Sequence, residues 1–110
     1  MKLMVQGKQL NLSGALRKHV ERRLTSGISK YFDNAIEAQV IFSRDAHHFV
    51  TSISVHAGPG ITFQSRAELD DIHASFDAAA ERIEKQLRRQ KKRLISHHRG
   101  HGGRGPATVE

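Results

Sequence analysis

Histidines and carboxylates occur at two places that offer the ligands of a metal-dependent hydrolytic centre. They are His47, His48 and His56 beside predicted strands, and Glu68, Asp70, Asp71 and His73 at the start of the last predicted helix. A nuclease that works through a metal ion uses such side chains. Adjacent residues of a helix point about 100° apart, however, so Asp70 and Asp71 do not converge on one ion. The helix dipole also explains carboxylates at a helix start, and we therefore predict no catalytic residue, no metal and no cofactor.

Positive charge is concentrated in the second half of the last predicted helix. Between Arg82 and Arg93, seven of the twelve residues are Lys or Arg, and Glu84 is the only acid. In the first predicted helix, Lys18 and Arg22 lie four residues apart on the face away from the core. Such side chains neutralise nucleic-acid phosphates and release counterions, which gives affinity without sequence specificity. The predicted RNA-binding residues are Lys18, Arg22, Arg82, Lys85, Arg88, Arg89, Lys91, Lys92 and Arg93.

A helical wheel separates the charges of the last helix into two flanks of its apolar stripe. The basic flank holds Arg82, Lys85, Arg89, Lys92 and Arg93, and the opposite flank holds Asp77, Glu81 and Glu84. If the two helices pack side by side, the cations of both form one basic groove. The phenylalanines are mostly at predicted core positions, so we expect recognition by shape and phosphate contacts, as for structured RNA. The alternative is a solvated helical face supported by pairs such as Glu81–Lys85.

Hydrophobic periodicity predicts six elements in the order β-α-β-β-β-α. Lys2–Gln6 alternates as a strand, Ser13 is a predicted N-cap, and the first helix extends from Gly14 to about Phe32. Three alternating runs follow, and the first of them has Ile36, Ala38, Val40 and Phe42 on its inner face and ends in a polar loop at residues 43–47. Residues 58–60 are the predicted turn between the last two runs, and the last helix covers about Asp70–Ile95. The strands share one apolar face. We therefore predict an α+β fold with one four-stranded sheet and two helices packed on one face.

Length and composition fit one small basic domain. We assign residues 1–96 to it, and predict that the Gly/His/Arg-rich residues 97–110 form a flexible tail or linker. The net charge of +7 favours polyanionic partners. The chain has no cysteine, no membrane-spanning apolar run and no signal-like start, so we expect a cytoplasmic protein with no membrane partner. His97, His98 and His101 offer metal ligands on a Gly-rich segment that does not preorganise them, so we expect only adventitious binding there.

Five segments occur in an order and spacing that resemble one known family. They are Gln6-Gly7-Lys8, Leu12-Ser13-Gly14-Ala15-Leu16-Arg17, Lys30-Tyr31-Phe32-Asp33, Asp71-Ile72-His73-Ala74-Ser75-Phe76-Asp77 and Ile83-Glu84-Lys85-Gln86-Leu87-Arg88-Arg89-Gln90-Lys91. Over about residues 3–95 the chain resembles the bacterial ribosome hibernation-promoting factors, which include the ribosome-associated inhibitor and are also called sigma-54 modulation proteins. His73 stands where that family usually has an aromatic residue.

The resemblance implies a ribosome-associated protein that inhibits translation under stress or in stationary phase. It implies binding to ribosomal RNA in the cleft of the small ribosomal subunit, over the path of mRNA and the tRNA sites. Family contacts to RNA then fall on Lys18, Arg22, Lys85, Arg88, Arg89, Lys92 and Arg93. Long members pair two ribosomes through a second domain. Residues 97–110 resemble either the linker that leads to that domain, in which case ribosome pairing is expected, or the tail of a short member. A generic structured-RNA or double-stranded-RNA binding module is the alternative, and a metal-dependent nuclease is less favoured.

Overall fold

The protein folds as a four-stranded sheet with two helices. The computed structural model describes residues 1–100, and the side chains of residues 1–93. Its elements are β1 (Lys2–Gly7), α1 (Gly14–Ser29), β2 (Glu37–Asp45), β3 (His48–Gly58), β4 (Ile61–Leu69) and α2 (Ile72–Gly100). The predicted element order and fold class are confirmed.

Helix α1 begins where the sequence predicts, because Ser13 caps it. Ser13 is extended, with φ −71° and ψ 157°, and its hydroxyl oxygen accepts a hydrogen bond of 3.1 Å from the backbone N–H of Leu16. One face of α1 is buried at helical spacing. Its buried residues are Leu16, Val20, Leu24 and Ile28. The helix ends at Ser29, short of the predicted Phe32, because the chain turns at residues 33–34 toward β2.

The sheet has the order β1-β2-β3-β4, in which β1 is parallel to β2 and the other neighbours are antiparallel. Helix α1 makes the crossover that a parallel pair requires. Strand β2 extends into the predicted polar loop 43–47, because Asp45 pairs with His48. Only a tight turn at residues 46–47 remains, in which Ala46 has a φ of 58°. The predicted turn at residues 58–60 is confirmed, and Gly60 there has a φ of 71° that glycine adopts without strain.

The hydrophobic core lies between the helices and one face of the sheet. The sheet register places Val5, Val40 and Ile53 side by side on this face. The rings of Phe42 and Phe76, both fully buried, have centroids 6.2 Å apart and join β2 to α2. Among the described residues, both helices therefore cover the same face of the sheet, as predicted, and this packing holds α1 and α2 beside each other.

Helix α2 is longer than the sequence suggests. It continues to Gly100 instead of ending near Ile95, and so includes residues 97–100 of the predicted tail. The sequence has no glycine or proline between Ile72 and Arg99, and helix propagation does not need an apolar stripe. The remainder of that predicted tail, residues 101–110, lies outside the described residues. Within the described residues, no helix combines the length and apolar character needed to cross a bilayer.

One predicted core residue is exposed. We expected Ile36 on the inner face of the second strand, but β2 begins at Glu37 and the side chain of Ile36 is 48% exposed. Its backbone still continues the pairing, since its N–H donates to the carbonyl of His56 at 2.9 Å. Alternation predicts a side chain's face only inside a strand, and Ile36 lies just before one.

Candidate nucleic-acid interface

All nine cations that we predict to bind RNA are exposed to solvent. Seven belong to α2, whereas Lys18 and Arg22 belong to α1. Among the residues with described side chains, none of the nine forms an ion pair with a carboxylate, and pairs such as Glu81–Lys85 are not formed. Such cations keep their charge available for phosphate groups.

One flank of α2 lies along strand β4. The Arg82 guanidinium donates to the carbonyl oxygen of Arg66, and the side-chain amide of Gln86 donates to the carbonyl oxygen of Gln64 at 2.8 Å. Arg89 and Arg93 follow Arg82 after seven and eleven residues, which places them on the same flank. Arg82, Arg89 and Arg93 of the basic flank therefore lie on the side of α2 that faces the edge of the sheet, whereas Lys85 and Lys92 lie on the solvent side of the helix.

The other flank of α2 packs against α1 and carries acids. Asp77 Oδ1 lies 2.8 Å from Nε2 of His19 and 3.2 Å from Nη1 of Arg23. The two carboxylate oxygens of Glu84 accept hydrogen bonds of 3.3 Å from Nε and Nη2 of Arg23. The prediction of an entirely basic groove between the helices is therefore wrong at its centre. The wheel separated the two flanks correctly, but periodicity within one helix does not show which flank meets the neighbouring helix.

Arg23 pairs with both acids of this interface and offsets part of their negative charge. Its hydrogen bond to Glu84 raises the pKa of Arg23 above its ordinary value, and the negative charges of Glu84 and Asp77 raise it further. Burial acts in the opposite direction but does not cancel these effects. Gly27 allows this contact, because a Cβ at position 27 would lie 2.6 Å from Oε2 of Glu84. Our sequence analysis missed Arg23. The available signal was complementary charge at helical spacing, with His19 and Arg23 four residues apart on one helix and Asp77 and Glu84 seven apart on the other.

An open groove of about 430 Å³ runs along the α1 side of this interface. It is lined by His19, Arg22, Arg23, Ser26, Gly27, Lys30, Tyr31 and Glu84. Arg22, Ser26 and Lys30 follow one another at intervals of four and form one row along the helix. Nearby, Nζ of Lys91 in α2 lies 5.9 Å from the centre of the Phe32 ring, within the range of a cation–π contact. Lys30 thus joins Arg22 at the rim, although the sequence analysis did not select it.

Exposed cations of both helices border the interface between α1 and α2, with Arg22 and Lys30 on one side and Lys91 near Phe32 on the other. Arg88 and Lys91 follow Glu84 by four and seven residues, so they share its side of α2 and lie toward α1. We use the name helical basic surface for a set of exposed cations on and beside the two helices. They are Lys18 and Arg22 of α1, Lys30 directly after α1, and Lys85, Arg88, Arg89, Lys91 and Lys92 of α2. Arg89 forms the border of this surface toward β4, and Arg82 and Arg93 lie beyond that border. A surface of this kind binds a phosphate backbone by charge and shape.

A family model described as "Sigma 54 modulation protein / S30EA ribosomal protein" matches residues 3–95. The chain belongs to this family. The family assignment agrees with the resemblance in the sequence, and the matched residues include α1, β2, β3 and β4, nearly all of β1 and most of α2.

Curated relatives of this S30EA family chain are named for ribosome hibernation. A "Ribosome hibernation promotion factor" of Rhizobium meliloti is 32% identical over 102 residues, which cover 93% of this chain and 54% of the relative. A "Ribosome hibernation promoting factor" of Azotobacter vinelandii is 28% identical over 100 residues, covering 91% of this chain and 92% of the relative. The chain therefore spans about half the length of the Rhizobium relative and nearly all of the Azotobacter relative.

Solved structures of other proteins share the fold of this S30EA family chain. A ribosomal subunit interface protein from Coxiella burnetii superposes with a TM-score of 0.73 at 25% identity, covering 84% of this chain and 99% of that chain. The N-terminal domain of Protein Y from Thermus thermophilus superposes with a TM-score of 0.71 at 30% identity, covering 81% and 98%. The arrangement of sheet and helices that positions the cations is therefore the arrangement of these relatives.

Proposed function

We propose that this chain is a ribosome hibernation factor that binds ribosomal RNA of the small subunit through the helical basic surface. The observation that carries the proposal is the set of exposed cations on two adjacent helices, which have no carboxylate partner among the described side chains. The names of the relatives, which refer to ribosome hibernation and to the subunit interface, support the same role.

Inhibition in this proposal needs no chemistry. The cations bind phosphates, and the folded body then occupies space that mRNA and tRNA need on the small subunit. Phe42 and Phe76 are fully buried, so these rings are not available to stack on bases. Recognition by phosphate position alone suits folded ribosomal RNA in the cytoplasm, whose backbone forms a fixed surface.

Sedimentation of the full chain with purified small ribosomal subunits tests the proposal. We expect the chain to pellet with empty subunits and to be excluded when mRNA and tRNA are bound beforehand. With about six phosphate contacts, the affinity is expected to fall about 10³-fold between about 50 and 200 mM salt. Equal pelleting with and without mRNA and tRNA would contradict occlusion. Equal affinity for unrelated structured RNAs would favour the generic RNA-binding module instead.

Removing the negative charge of Glu84 tests whether the helix interface belongs to the RNA-binding surface. In Glu84→Gln, Arg23 loses a charged partner, and its guanidinium becomes available to a phosphate. We expect tighter binding to small subunits, with a salt dependence of log K steeper by up to about 0.9, the value of one further phosphate contact. Filter binding across a salt series measures both quantities.

Glu37→Gln is the matched control for this change. It alters the net charge by the same amount, but Glu37 lies at the start of β2 and not on a helix. Binding should stay at the level of the parent chain. If both variants improved binding equally, net charge and not the position of Arg23 would determine the affinity.

A further inference from the structure

Four side chains that the proposed function does not use meet at one end of the sheet. Nδ1 of His48 lies 3.2 Å from Oε2 of Glu68, and Nε2 of the same ring lies 3.1 Å from Oδ1 of Asp70. The rings of His47 and His48 have centroids 4.6 Å apart. Ligand atoms of His47, His48 and Asp70 all lie within 4.8 Å of one another. Sequence analysis had placed these residues in two separate groups.

The register of the sheet holds the four residues together. Phe49 pairs with Leu69 between β3 and β4, so His48 and Asp70 are the next residues outward on neighbouring strands. Glu68 lies two residues before Asp70 on β4, diagonally across from His48. Long side chains can contact each other over this diagonal distance. Backbone pairing therefore fixes the positions of His48 and Glu68, while His47 lies in the tight turn directly before β3 and Asp70 directly follows β4.

Both ring nitrogens of His48 face carboxylate oxygens. Only the contact of Nδ1 with Oε2 of Glu68 has the geometry of a hydrogen bond, in which Nδ1–H donates to the carboxylate. The lone pair of Nε2 then faces Oδ1 of Asp70 at 3.1 Å. A metal ion between Nε2 and Oδ1 accepts electron pairs from both atoms, and the imidazole of the neighbouring His47 offers a further ligand.

We propose that His47, His48 and Asp70 bind one divalent transition-metal ion of the Zn²⁺ class. Two imidazoles and a carboxylate suit such borderline ions, and three protein ligands leave a position open for water. Glu68 accepts the N–H of Nδ1 and so fixes the tautomer and orientation of the His48 ring, the usual arrangement around a metal-bound histidine. His47 and Asp70 are exposed and His48 is half-buried, so an ion reaches the site from solvent.

Asp71 is not part of this site. Its carboxylate oxygen Oδ2 accepts a hydrogen bond of 2.8 Å from the N–H of Ala74 and caps the start of α2. The two carboxylates thus have separate partners, although both residues lie before α2 and not on the helix where the sequence analysis placed them. The sequence analysis predicted no metal site because Asp70 and Asp71 do not converge. The proposed site instead combines Asp70 with His47 and His48 of the hairpin formed by β2 and β3. The site shares no residue with the helical basic surface, so the proposal of a metal site does not depend on RNA binding.

Titration calorimetry of the full chain with ZnCl₂ tests the proposal. Because His97, His98 and His101 also offer ligands, the titration is performed in a chain with all three replaced by alanine. We expect one Zn²⁺ ion per chain and a rise of the unfolding temperature that increases with free Zn²⁺. His48→Ala should weaken binding by about 100-fold or more, and Glu68→Gln by about 10-fold, the range for an outer partner of a metal-bound histidine.

Two further variants keep the test decisive. His56→Ala changes an exposed histidine of the same strand outside the cluster and should bind Zn²⁺ like the parent chain. Asp70→Asn changes a side chain that is 83% exposed, so it should fold and yet bind Zn²⁺ weakly even if His48→Ala fails to fold. Absence of binding in the triple-alanine chain, or equal affinity in Asp70→Asn and His56→Ala, would overturn the proposal.

Discussion

Replacing Arg88, Arg89 and Lys92 with glutamate is expected to abolish binding to small ribosomal subunits and to leave the fold intact. Each replacement changes the charge by two units, so the net charge of the chain falls from +7 to +1. Three phosphate contacts are lost and three repulsive ones gained, so we expect an affinity loss of at least about 100-fold and a salt dependence of log K shallower by about three. Sedimentation with subunits across a salt series measures both. The fold should persist because all three side chains are exposed.

A second triple variant separates position from net charge. Lys2, Lys8 and Arg44 are exposed cations of β1, of the loop after it and of the end of β2. Their replacement by glutamate gives the same net charge as the first variant. We expect this control to bind subunits almost like the parent chain. Equal loss in both variants would show that only the total charge matters, and cosedimentation of the first at physiological salt would exclude the helical basic surface as the binding site.

The largest effect on stability is expected for Phe76→Ala. Phe76 is fully buried, and its ring contacts Phe42 in the sheet and the edge of His19 in α1, with centroids 6.2 Å and 5.4 Å away. Truncation leaves a cavity where α1, α2 and the sheet meet, at a cost of about 3–5 kcal/mol. Small domains have total stabilities of about 5–15 kcal/mol, so the variant should be either unfolded or only marginally stable. Urea unfolding followed by circular dichroism measures the change.

Ile36→Ala is the matched control for that truncation. Ile36 is also a large apolar residue, but it is 48% exposed and lies outside β2. We expect a loss of less than about 1 kcal/mol, since little surface is returned to water. A similar loss in both variants would contradict the assignment of Phe76 to the centre of the core.

The sequence predicted those parts of the fold that depend on local pattern. Strand alternation, the helical stripe from Leu16 to Ile28 and the hydroxyl of Ser13 each act within one segment, and each prediction is confirmed. Boundaries were less accurate. The end of α2 was placed at the loss of apolar periodicity near Ile95, whereas the helix continues to Gly100.

The arrangement of the candidate sites depends on contacts between segments, which periodicity does not show. The wheel gave both flanks of α2, but only the packing shows that Asp77 and Glu84 meet Arg23 while Arg82 reaches β4. In the same way, the proximity of His48 and Asp70 follows from the pairing of β3 with β4. A register displaced by two residues would separate these two side chains without changing the sequence pattern of either strand.

The contacts of α2 with strand β4 also affect how the molecule behaves at high concentration. An outer strand with free carbonyl groups is a template on which strands of other molecules can assemble into aggregates. Here the carbonyl oxygens of Gln64 and Arg66 are already occupied by the side chains of Gln86 and Arg82. The long helix thereby shields this margin of the sheet from intermolecular β-pairing, and its arginine adds a charge that repels an approaching copy.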